Sequence, residues 1–101
     1  MVRHIVMFKF LENAEGRTRK ENAEIAASML RDLQGKVPTL VNSEVKLDTT
    51  APETGNYDLV LTTEHYDWQG LKDYAVHPLH LEVGEFMKGV RESRACVDYE
   101  Y

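Results

Sequence analysis

"VRHIVMFKFL", residues 2–11, carries apolar side chains on both of its alternating sets of positions. Val2, His4, Val6, Phe8 and Phe10 form one set; Arg3, Ile5, Met7, Lys9 and Leu11 form the other. Enrichment in Val, Ile and Phe with no turn residue reads as a β-strand. "YDLVLTTEHY", residues 57–66, reads the same way, with Leu59 and Leu61 opposing Val60. A strand with one face in water alternates apolar and polar residues more cleanly than this. Both segments therefore predict a sheet that is covered on its two faces.

Working outward, "NAEGRTRKE" (13–21) interrupts the strand pattern. Thr18 and Glu21 have the spacing of a capping box, in which each side chain satisfies a free N–H of the first helical turn. Ala23, Ala26, Ala27, Leu30 and Leu33 recur at helical spacing, which places a helix at about 19–34. Gly35 is the expected residue just past its end, and Pro38 blocks continuation. "LVNSEVKLDT" (40–49) is a second, more polar strand, and "TAPETGN" (50–56) is a turn-rich connection to the strand at 57–66. Asp67 is placed to cap a short helix, "WQGLKDYA". Pro78 starts another helix at its favoured first position, with Leu79, Val83, Phe86, Met87 and Val90 on one side. "SRACVDYEY" (93–101) closes the chain as a strand.

The order is β-α-β-β-α-β within one domain spanning residues 1–101. It predicts an α+β, ferredoxin-like fold: a four-stranded antiparallel sheet with helices on one face. Two helices leave the other face bare. The economical cover is the same sheet from a second copy, because symmetric homodimers are the commonest oligomers. Shielding of a monomer by Lys and Arg stems is the alternative.

The formal net charge of −5 over 101 residues, with no basic run beyond 17–20, excludes nucleic acid and anionic membrane surfaces as expected partners. Cys96 is the only cysteine, so no internal disulfide forms and a reducing compartment is expected. The N-terminus lacks a signal-peptide pattern and no stretch approaches membrane-spanning length, so the expected location is cytoplasmic. No glycine-rich phosphate loop or nucleophile elbow appears, and no cofactor is expected. Cys96 reads as a small buried hydrophobe and Trp68 as a packing residue.

Two of the four histidines lie in "YAVHPLH", residues 74–80. Three readings stay open for them. His77 and Pro78 make a helix break with His80 in the first turn that follows; His4 is then a hydrogen-bonded core histidine. Alternatively, His4 and His80 line a ligand cavity between sheet and helices. A metal is the third reading, since residues three apart can share a helix face. Pro78, however, holds His77 in extended geometry, and no Cys or carboxylate has recognisable ligand spacing, so no metal is expected.

"HIVMFKF", "GKVP", "YDLVL", "YAVHPLH" and "VDYEY" occur in this order across residues 2–100, and together they resemble the stress-responsive dimeric α/β-barrel (Dabb) family. The resemblance implies a homodimeric barrel with two sheets face to face. The family's members include olivetolic acid cyclase, a ring-forming plant heat-stable stress protein and many bacterial proteins of no known activity. By resemblance to the cyclase, His4, Tyr74 and His80 are the catalytic set. His80 is then the base, Tyr74 its orienting partner or the oxyanion donor, and His4 a further polar contact. A further cavity histidine of the cyclase corresponds to Leu59 here, and His65 stands where members usually carry an aromatic residue, which implies a differently shaped cavity. The readings that follow are a homodimer binding a small organic molecule, a cofactor-independent cyclase or isomerase, and a stress protein acting through assembly.

Overall fold

The computed structural model describes residues 1–101. β1 (Val2–Phe10) runs into a tight hairpin of two short strands, β2 (Asn13–Ala14) and β3 (Arg17–Thr18). Glu15 and Gly16 turn the hairpin at φ of 54° and 75°. Then follow α1 (Arg19–Arg31), β4 (Asn42–Leu47), α2 (Ala51–Thr54), β5 (Leu59–His65), α3 (Trp68–Val76), α4 (Pro78–Val90) and β6 (Arg91–Glu100). The hairpin and α2 add to the expected β-α-β-β-α-β frame without altering it.

The main sheet has the order β4-β5-β1-β6, with every neighbouring pair antiparallel. β1 is thus central and β6 is an edge. Alternation along β1 decides what is covered: Val2, His4, Val6, Phe8 and Phe10 are all buried. Val6, Phe8 and Phe10 join Leu59, Leu61 and Val45 of the neighbouring strands, and the helices supply Ala23, Ala26, Leu30, Val83, Met87 and Val90. The four-stranded sheet therefore packs its helices on one face.

Local chemistry sets the helix ends. The Thr18–Glu21 capping box is formed in both directions. α1 ends at Arg31 rather than 34, because Leu33 and Gln34 bond back to Leu30 and Arg31 in tighter, three-residue steps. Gly35, at φ +86°, turns the chain only after that tightening. The Asp67 carboxylate accepts from the N–H of Gly70 and caps α3. His77 stays extended (φ −63°, ψ 136°), and its Nδ1 accepts from the N–H of Leu79 at 3.1 Å. Pro78 occupies the first position of α4, where its missing N–H costs nothing.

The opposite sheet face carries no helix. Ile5 and Val60 are half-buried there, Met7 is 38% exposed and Val97 54%. Cys96 corrects an expectation: it is exposed, because β6 is the edge strand and the helical layer does not extend over it.

Pro78→Ala should leave the fold intact and cost about 1 kcal/mol or less, through greater freedom of the unfolded chain. Denaturant midpoints of the two proteins test this, and loss of cooperative folding would contradict the placement of this helix boundary.

Candidate functional site

β1 and β6 run antiparallel with His4 opposite Asp98 and Val6 opposite Cys96. The register brings the three polar side chains together on the helical face. His4 Nδ1 donates to Asp98 Oδ1 across 2.5 Å, which leaves Nε2 as the free edge of the ring. Cys96 Sγ lies 3.5 Å from both His4 Nδ1 and Asp98 Oδ1. Partial desolvation among its neighbours, with Asp98 nearby, raises the thiol pKa, so Cys96 is held as a thiol. Ligand atoms of all three residues fall within 4.8 Å of one another. Two ligands on one tetrahedral zinc ion stand about 3.3 Å apart, however, and the 2.5 Å contact between His4 and Asp98 is that of a hydrogen bond.

On the helical side, the His77–Pro78 break folds α4 back against α3 and stacks three rings. Tyr74 lies between His65, at 5.0 Å between centroids, and His80, at 4.5 Å. Its ring is 1% exposed, and burial raises its pKa, so the hydroxyl stays protonated. His65 is fully buried and fully bonded: Nδ1–H donates to the Thr39 carbonyl at 2.7 Å, and Nε2 accepts from the Thr63 hydroxyl at 2.9 Å. Its ring packs against Tyr74 while both of its nitrogens are satisfied.

His80 is half-buried, and its Nδ1 lies 3.1 Å from the Ala75 carbonyl. A carbonyl only accepts, so the proton sits on Nδ1 and Nε2 keeps its lone pair. Burial lowers the His80 pKa, the Ala75 carbonyl opposes this, and the nearby His4, Arg94 and His77 add to the lowering. The ring is therefore neutral near pH 7.

His4 and His80 both line one cavity of about 220 Å³. Its apolar wall includes Val6, Phe8, Leu61 and Met87, and Arg91 and Arg94 stand among its polar residues. Tyr74 supports His80 from behind and is not part of the lining. Of the residues named from the sequence, His4 and His80 thus share a cavity, and Tyr74 touches His80. Asp98 was missed. Its signal was the alternation of "VDYE" against β1, readable only once the strand register is known.

These features define a ferredoxin-like α+β domain with a small, polar-edged cavity between sheet and helices. The chain belongs to the stress responsive A/B barrel domain family (Dabb), whose model matches residues 2–101. A dimeric protein of unknown function with ferredoxin-like fold from Bacteroides fragilis is 30% identical, with a TM-score of 0.80 over 99% of this chain and 95% of that one. A dimeric ferredoxin-like protein of unknown function from Thermobifida fusca has a TM-score of 0.82 at 22% identity, covering 99% and 90%. The hydroxynitrile lyase from Passiflora edulis has the same fold, at TM-score 0.72 and 16% identity over 97% and 90%. No curated protein sequence matches this chain. No helix is long and apolar enough to cross a membrane.

The depressed His65 and His80 pKa values set a pH dependence. Their ordinary value is 6.5, and the folded chain holds both rings below it. From about that pH downward, the unfolded chain binds more protons, so stability falls as pH falls through the folded values. Above it, both states are neutral and the contribution is flat. Denaturant midpoints at about pH 7.5 and pH 5.5 should show the drop, and His80→Gln should shrink it. An unchanged drop in that variant would contradict a depressed His80.

Proposed function

We propose that this protein is a homodimer that binds a small organic carbonyl compound in the His4–His80 cavity and acts on it by acid–base chemistry, without a cofactor. One observation carries this reading: His80 lines a partly apolar cavity, and the Ala75 carbonyl fixes its proton on Nδ1, which leaves Nε2 unprotonated. A neutral imidazole there is suited to take a proton from carbon α to a carbonyl. The C–H bond breaks, the proton passes to Nε2, and the electron pair moves to the carbonyl oxygen as an enolate. The enolate carbon then adds to a second carbonyl, whose oxygen takes the proton from His80 Nε2, or a conjugated enolate takes that proton at a different carbon; either route restores the neutral ring.

Tyr74 braces His80 by ring contact, and burial keeps its hydroxyl protonated. His4, held through Nδ1 by Asp98, offers Nε2 as a second polar contact for the bound oxygen. The Passiflora edulis neighbour is named a hydroxynitrile lyase, so this fold supports small-molecule chemistry in another protein.

Two observations support the homodimer. Ile5, Met7, Val60 and Val97 leave an apolar strip on the helix-free sheet face, and the neighbours from Bacteroides fragilis and Thermobifida fusca are described as dimeric. Joining two such faces removes this strip from water and leaves both cavities on the outer, helical sides.

Sedimentation at micromolar concentration should show a dimer. Met7→Asp and Val60→Asp should each dissociate or unfold it by burying an unpaired charge; a stable wild-type monomer contradicts the pairing. His80→Ala should slow cyclisation of a poly-β-keto compound by about a hundredfold or more while the dimer persists. Turnover at the wild-type rate in that variant would remove His80 from the chemistry.

A further inference from the structure

The cavity has cations at its edge in a chain whose formal net charge is −5. Lys88, Arg91 and Arg94 all line it, beside His4 and His80. Lys88 is already engaged, with Nζ 3.2 Å from Glu85 Oε1. Arg91 and Arg94 belong to none of the four ion pairs of the molecule. Asp98, on the same sheet face, is occupied by His4 and Cys96. Two guanidinium groups therefore stand without a carboxylate at the rim of a cavity whose floor is apolar.

Their placement follows from the fold. α4 ends at Val90, and the chain passes into β6 at Arg91 without a loop. A register shift between Lys9 and Phe10 occurs where β1 pairs with this start of β6. It re-aims side chains locally, as bulges do. Arg94, opposite Phe8 in the regular register, projects on the same helical face as Cys96 and Asp98 and lies near both His80 and Cys96.

We infer that the cavity selects an organic monocarboxylate, with Arg91 and Arg94 gripping its carboxylate and the Val6, Phe8, Leu61 and Met87 wall taking its hydrocarbon part. Planar guanidinium forks match a carboxylate through paired, charge-assisted hydrogen bonds. A volume of about 220 Å³ restricts the hydrocarbon part to a compact one. The position of Arg94 beside His80 places the carboxylate end of the ligand next to the base. The inference rests on the cavity reading above and adds the charge of the ligand to it.

Octanoate, octanamide and octyl phosphate are suitable probes, titrated calorimetrically into the intact wild-type protein. Octanoate should bind about tenfold or more tighter than octanamide, and added salt should weaken octanoate alone. In Arg91→Gln/Arg94→Gln the preference should vanish while octanamide binds as before, which also shows that the cavity remains folded. Arg94→Gln alone, at an exposed site, should lose much of the preference even if the double variant fails to fold. Equal binding of octanoate and octanamide to the wild type overturns the inference and leaves the cavity reading standing, as does a preference that survives in Arg94→Gln. Tighter binding of octyl phosphate than of octanoate overturns the carboxylate assignment. Failure of all three probes to bind overturns both the inference and the cavity reading.

Discussion

The antiparallel register of β1 between β5 and β6 is the constraint on which the rest of the molecule depends. Because side chains alternate along a strand, a slip of one residue would turn His4, Val6 and Phe8 out of the core and Arg3, Ile5 and Met7 into it. The register is held at both ends. Near the N-terminus, Val2 pairs with His65 and Glu100. Near the C-terminus, the backbone N–H of Phe10 donates to the buried Asp58 carboxylate at 2.8 Å, and Arg19 lies 3.7 Å from the same carboxylate. One alignment thus builds the core and places Asp98 against His4.

The second fixed point is the break at His77 and Pro78. Pro78 removes a helical donor and keeps its predecessor extended, so α3 must end and α4 must begin at once. With no loop between them, Tyr74 near the end of one helix and His80 near the start of the next are forced into contact. His65 supports the stack from the sheet, and its nitrogens are satisfied by Thr39 and Thr63. The result is a histidine whose tautomer is set by the backbone. Such a ring keeps one fixed proton and one free lone pair.

The two sheet faces divide the work. One carries the helices, the core and the cavity; the other keeps an apolar strip with no helix over it. A domain of this size has too small a core to leave that strip in water without cost. Residues lining the cavity can therefore change without touching the helix-free face.

Much of this was legible in the sequence because its causes are local. The capping box at Thr18 and Glu21, the Pro78 start, the double-sided apolar pattern of residues 2–11 and the β-α-β-β-α-β order all arise from neighbours in the chain. The contact of Tyr74 with His80 was legible for the same reason, as both flank one proline. Other features depend on partners far along the chain. The pairing of His4 with Asp98, the exposure of Cys96 on an edge strand and the unpaired arginines at the cavity rim follow from strand order and register. Those are set by which long-range packing buries the most apolar surface. Sequence determined the elements and the kind of chemistry available; tertiary structure decided which side chains face one another, because a strand's alternation acquires meaning only against its neighbours.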